Sequence, residues 1–182
     1  MDPTLLATDF RTDTSRGHDG AVTYRVCMVC LGNICRSPIA ASVLRAKLAE
    51  AGLDDRVVVE SAGTGSWHVG NGADHRARAT LRAAGYDDEH SARQFVTGYY
   101  DDYELVIAMD AANLRDLRRI APHSEIGERV RMLRSYDPTA RDDLDVPDPY
   151  YGGDDGFQLV LAQVERACDG LIAEIRETLS HG

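Results

Sequence analysis

The stretch Cys30-Leu31-Gly32-Asn33-Ile34-Cys35-Arg36-Ser37-Pro38 constrains this chain more than any other. An apolar run, Val26 to Val29, leads into it, and an amphipathic pattern beginning near Ile39 leads out. The order reads strand, tight loop, helix, with a thiol at the strand's end and a guanidinium at the helix's start. A helix N-terminus presents backbone N–H groups without intrahelical partners and the positive end of the helix dipole. A glycine-containing loop feeding into it makes a cradle for an anion. A cysteine in such electropositive surroundings reacts as the thiolate. The stretch points to cysteine-dependent chemistry on a phosphate group.

The Cys-x5-Arg spacing alone is weak, because four cysteines among 19 arginines in 182 residues meet it often by chance. Its context strengthens it: a strand before, Gly32 within, and Ser37-Pro38 opening a helix. Five intervening residues can curl so that their N–H groups converge, with Cys30 below and the Arg36 fork beside one anion. The formal charge of −10 argues against nucleic-acid binding, which draws its affinity from cationic contacts to phosphates. Cysteines at 27, 30, 35 and 168 fit neither a paired zinc arrangement nor a disulfide scaffold, so a cytoplasmic setting is expected. No apolar run reaches the roughly 20 residues that span a bilayer, and no signal peptide is evident.

Residues 1–22 lack an apolar period and are expected to form a disordered N-terminal tail, with one domain over 23–182. Strands are expected at Tyr24–Val29, around Val57-Val58-Val59, at Glu104–Met109 and at Arg129–Leu133. Between them come helices over about 38–51, from a cap at Asp74 to Gly85, and from a cap at Asp110 to before Pro122. The region 86–103 reads as irregular, with room for one short helix. A long loop over 135–153 carries Asp137, Asp142, Asp143, Asp145 and Asp148. The last helix shows the clearest period, with Phe157, Val160, Leu161, Val164, Cys168, Leu171, Ile172, Ile175 and Leu179 at three- and four-residue steps. Alternating strands and helices imply an α/β three-layer sandwich. A four-stranded parallel sheet has helices on both faces, and ligands bind beyond the strands' carboxyl ends.

Val29 to Pro38 resembles the signature of the low-molecular-weight protein-tyrosine phosphatases, particularly the actinobacterial branch. The likeness continues through Ser61-Ala62-Gly63, Trp67-His68-Val69-Gly70, His90-Ser91-Ala92-Arg93-Gln94, Leu133 to Pro138 and Asp148-Pro149-Tyr150-Tyr151-Gly152. It covers roughly residues 24–180 in order. The resemblance implies hydrolysis of phosphotyrosine through a phosphocysteine intermediate, without metal or other cofactor. Cys30 would attack phosphorus while Leu31, Gly32, Asn33, Ile34, Cys35, Arg36 and Ser37 form the phosphate-binding loop. Asp148 would protonate the departing oxygen and then help activate water. Ser37 would donate to the thiolate, and Asn33, Ser61 and His90 would support the loop. Leu31, Ile34, Trp67, Tyr150 and Tyr151 would line the substrate pocket. The resemblance also implies a reversible disulfide between Cys30 and Cys35 that guards against over-oxidation.

Among the acidic residues Asp145 competes with Asp148 for the acid's role, and the carboxylates crowded in this loop are expected to favour a protonated Asp148. Cys27 and Cys168 read as core residues. The implied partner is a phosphotyrosine-containing protein, with phosphate-like oxyanions as inhibitors, no nucleic acid, no membrane, and a monomer or weak dimer as the expected state. Three rival functions compete. Arsenate reduction needs relay cysteines that the region 90–100 lacks. Protein-arginine phosphatases resemble this chain but carry Thr where it has Ile34. A silent phosphate-binding module would not need Cys30, Arg36 and Asp148 together.

Overall fold

The computed structural model describes residues 23–181, so the expected tail lies outside the described residues. Tyr24–Cys30 forms β1, Val57–Gly63 β2, Leu105–Ala108 β3 and Val130–Met132 β4, paired in parallel in the order β2-β1-β3-β4. β1 is central because its apolar side chains serve both faces of the sheet. Val26, Met28 and Cys30 join one core, while Cys27 and Val29 join the other. A parallel strand covered on both faces reads as a continuous apolar run, as Val26 to Val29 does.

The first core lies under α1 (Arg36–Glu50) and α5 (Asp154–His181), with Ala77 and Leu81 of α2 (His75–Ala83) at its edge. Phe157, Val160, Val164 and Leu171 of α5 are fully buried there, each burial worth about 2 kcal/mol. The second core packs Phe95, Tyr100, Tyr103 and Leu117 against Val106, Ala108 and Val130, beneath α3 (Ala111–Ile120). The three-layer architecture with a four-stranded parallel sheet is the one read from the sequence. In the order β2-β1-β3-β4 the chain reverses direction across the sheet between β1 and β3. The crevice beyond their carboxyl ends is where such folds bind ligands.

Several boundaries differ from the sequence expectation. α1 begins at Arg36, two residues early, because Pro38 is tolerated anywhere in a first turn whose N–H groups have no intrahelical acceptor. β2 extends to Gly63, where Cys30 pairs with it across the sheet. Leu133 leaves β4 for a 3-10 turn over Leu133–Tyr136, and a second such turn spans Thr97–Asp101. A short helix, α4 (Ser124–Gly127), follows α3. α5 starts at Asp154, where two aspartates in its first turn complement the helix dipole.

α5 packs so closely on the Leu133–Tyr136 turn that a Cβ on Gly170 would collide with the Tyr136 carbonyl oxygen. In an open helix Gly→Ala stabilises by about 1 kcal/mol. Here Gly170→Ala should instead destabilise by about 1–3 kcal/mol, lowering the melting temperature by roughly 2–4 °C per kcal/mol. A raised melting temperature would contradict this packing.

Candidate active site

The loop between β1 and α1 is held by Asn33. Its backbone φ is +54°, in the left-handed region that only Gly, Asn and Asp enter readily. The side chain has every polar atom engaged: Nδ2 donates to Ser37 Oγ (2.9 Å) and Ser61 Oγ (3.0 Å), and Oδ1 accepts from the Arg93 amide (2.9 Å). The Asn33 carbonyl accepts from His90 Nε2 at 2.6 Å, so Nε2 carries the imidazole proton. Gly63 lets β2 approach this close, since a Cβ there would lie 2.8 Å from the Leu31 carbonyl oxygen.

Cys30 Sγ sits at the floor of the loop, receiving the Asn33 amide at 3.3 Å and facing Ser37 Oγ at 3.0 Å. Ser37 already accepts from Asn33, so its own proton is free to point at sulfur. α2 and α3 carry aspartate caps, Asp74 and Asp110, whereas α1 has no side-chain cap. Its first-turn N–H groups are thus available to an anion above Cys30. Burial pushes the thiols of Cys27, Cys35 and Cys168 each up to about 12, which keeps them protonated at neutral pH. All four cysteines are free.

Arg36 is buried and committed on several sides. Its Nη1 donates to Asp110 Oδ2 at 2.6 Å and to the Val146 carbonyl at 3.0 Å, and its Nη2 lies 3.6 Å from Asp148 Oδ2. Burial alone would lower its pKa, but Cys30 and then Asp110 outweigh that and hold it above the ordinary value. Asp148 lines the same cavity. Asp145 does not: its Oδ1 accepts the Ala111 amide at the start of α3 (2.9 Å). The expected crowd of carboxylates around Asp148 is dispersed. Asp137 is buried against Arg166 and Arg134, Asp145 faces α3, and the charged group beside Asp148 is the Arg36 cation.

The cavity holds about 350 Å³, a size suited to one small ligand, and is lined by Cys30, Leu31, Gly32, Ile34, Cys35 and Arg36 with Trp67, His68, Asp148, Tyr150 and Tyr151. Trp67 and Tyr151 are 72% and 94% exposed, so they form its rim rather than core packing. Cys30, Arg36 and Asp148 are brought together here from both ends of the chain, as are the five expected pocket residues. Ser61 and His90 lie behind the loop. Three contributors were not read from the sequence. The sequence marks Asp110 only as a helix cap, although its place at the end of β3, next to β1, is the available signal. Arg93 and His68 lie in matched motifs but carried no assigned role; the His68 ring packs 3.1 Å from where a Gly32 Cβ would stand.

The family model described as low molecular weight phosphotyrosine protein phosphatase matches residues 25–181. The chain belongs to that family. It is 55% identical over 157 residues to a low molecular weight protein-tyrosine-phosphatase of Streptomyces coelicolor, covering 86% of this chain and 96% of the relative. A protein tyrosine phosphatase from Entamoeba histolytica, solved with Hepes in its active site, superposes with a TM-score of 0.82 at 33% identity, over 86% of this chain and 99% of that one. A Drosophila arginine phosphatase also superposes, with a TM-score of 0.76 at 29% identity, over 82% and 96% of the two chains. The low-molecular-weight phosphatase fold is therefore common to proteins named for two phospho-amino acids, and the pocket has to decide between them. Among the described residues no helix is long and apolar enough to cross a membrane.

His90 links this site to stability. Burial holds its pKa below the ordinary 6.5, so it is neutral where it meets Asn33. Its contribution is complete above the unfolded value and is lost as pH falls through 6.5 toward the lower folded value, because the unfolded chain takes up the proton first. The urea midpoint should fall over that window, and His90→Gln, which can still donate to the Asn33 carbonyl, should flatten the fall. An identical pH dependence in the variant would contradict the coupling.

Proposed function

We propose that this phosphatase hydrolyses phosphotyrosine in proteins by two in-line displacements at Cys30. The observation that carries the reading is the convergence of Cys30, Arg36 and Asp148 in one cavity rimmed by Trp67 and Tyr150. The phosphoryl group sits on the loop, its equatorial oxygens taken by the α1 N-terminal amides and the outer face of Arg36. The Cys30 thiolate forms the S–P bond as the P–O bond to tyrosine breaks, and Asp148 delivers its proton to that oxygen. Water then attacks the phosphocysteine, Asp148 takes its proton, and phosphate departs as the thiolate returns. Ser37 stabilises that thiolate by donating to it, having the Ala62 carbonyl (3.4 Å) as a second acceptor while sulfur is phosphorylated. No step calls for a metal.

Fixed donors aimed at the reacting charge explain the rate without bond-making by the protein beyond sulfur. Asp148 rather than Asp145 is the acid, because Asp145 is spent on the start of α3. The pocket favours tyrosine: Ile34 and Leu31 are apolar, and Trp67 and Tyr150 offer ring faces to an aromatic side chain. A phosphoarginine guanidinium would bring a polar fork into that apolar passage. With matched phosphotyrosyl and phosphoarginyl peptides, kcat/KM should favour the former by about 100-fold or more, the scale set by an unpaired polar group in an apolar site. A preference for phosphoarginine would overturn the substrate assignment. The described geometry also suits a soluble phosphoprotein partner, with the exposed rim of Trp67 and Tyr151 as its contact.

A further inference from the structure

The segment Pro147–Gly153 carries both Asp148 and the Tyr150 wall, yet it is poorly tied to the fold. Within it, Asp148 Oδ1 accepts the Tyr150 amide (3.1 Å) and the Pro149 carbonyl accepts the Gly152 amide (3.1 Å). Among the described residues, apart from the Gly156 amide at the start of α5, which donates to the Gly153 carbonyl (3.1 Å), the hydrogen bonds that reach it from outside both come from Arg76, at the start of α2, while the Arg36 guanidinium faces Asp148 at 3.6 Å. Arg76 Nη2 donates to the Tyr150 carbonyl at 3.0 Å and Nη1 to the Gly152 carbonyl at 3.4 Å.

Arg76 is itself fixed. Its Nε and Nη2 grip the two oxygens of Asp74, each at 3.0 Å, and this bond first and foremost holds the Asp74 carboxyl below the ordinary carboxylate range. The guanidinium also lies over the rings of Phe157, 4.9 Å away, and Tyr150, 5.6 Å away. Asp74 in turn donates its amide to the Ile34 carbonyl of the phosphate loop at 2.8 Å. A continuous path thus runs from the phosphate loop through Asp74 and Arg76 to the segment that presents Asp148.

We propose that Arg76 is a positioning residue for the reaction: it sets the distance between the phosphate loop and the Asp148 segment, and with it the reach of the acid and the angle of the Tyr150 wall. This rests on the reading of Asp148 as general acid. A planar fork that grips a carboxylate along one edge and two carbonyls along another, with its face on aromatic rings, does what an ammonium on a flexible stem cannot. Misplacing an acid by about 1 Å can cost up to 100-fold, and only where the leaving group needs its proton.

The test measures kcat/KM for a series of aryl phosphates of graded leaving-group acidity in wild type, Arg76→Met, Arg76→Lys, Asp148→Ala and the Arg76→Met/Asp148→Ala double variant. It is paired with amide hydrogen exchange over residues 148–152. Arg76→Met should lose about 10-fold on phenyl phosphate and less than about 3-fold on p-nitrophenyl phosphate, with Arg76→Lys falling between it and wild type. The double variant should lose no more than Asp148→Ala alone, and exchange over 148–152 should speed up in Arg76→Met. Equal losses across the series, additive losses in the double variant, or no loss would overturn the proposal. If Asp148→Ala shows no leaving-group dependence, the acid reading itself fails. Exchange then judges the clamp alone, with unchanged protection in Arg76→Met refuting it.

Discussion

Asn33 in a left-handed backbone conformation is the constraint on which the site depends. That conformation costs most side chains about 1–2 kcal/mol and asparagine less, and it is offset by hydrogen bonds to three parts of the chain. Ser37 lies on α1, Ser61 on β2, and Arg93 and His90 on the segment that crosses behind the loop. The reversal at Asn33 aims its own amide at Cys30 Sγ. The turn thus supplies a donor at the proposed nucleophile. Strained backbone persists where its surroundings over-determine it, and functional sites are where that happens.

Arg36 extends the same logic from the β1–α1 loop to the end of the neighbouring strand β3. A buried guanidinium needs its donors satisfied, and here Asp110 after β3 and the Val146 carbonyl take one nitrogen. Val146 is pinned in turn by its amide on the Met109 carbonyl at 2.8 Å, so the root of the Asp148 segment is registered to β3. The β1–α1 loop and the Asp148 segment therefore share one anchor at the switch point between β1 and β3. Arg76 joins the same two elements on the outer side. Two arginines, one buried and one half-buried, bracket the cleft.

Much of this was legible in the sequence because it is local. Apolar runs such as Val26 to Val29, aspartate caps at Asp74 and Asp110, and the three- and four-residue steps of the last helix are short-range signals that tertiary packing did not override. The cradle was legible because strand, glycine loop and helix are contiguous. What stayed hidden depends on separations of tens of residues. The second bond of Asp110 reaches back 74 positions to Arg36, and only its place at the end of β3 sets it apart from an ordinary cap. The dispersal of the carboxylates in 135–153 was equally out of reach. Their density in sequence suggested mutual repulsion at Asp148, but a loop without regular period can send each carboxylate to a different partner. The end of β2 at Gly63 is likewise a product of its pairing with Cys30.

The central claim is that sulfur of Cys30 carries the phosphoryl group between two half-reactions, and one measurement addresses it directly. The enzyme is quenched by rapid denaturation during turnover of radiolabelled phenyl phosphate, and its peptides are mapped for label. Label is expected on the peptide containing Cys30 and on no other, in an amount approaching one phosphate per active site when the second step is slow. Turnover without covalent label, or label on Cys35 or an oxygen side chain, would contradict it.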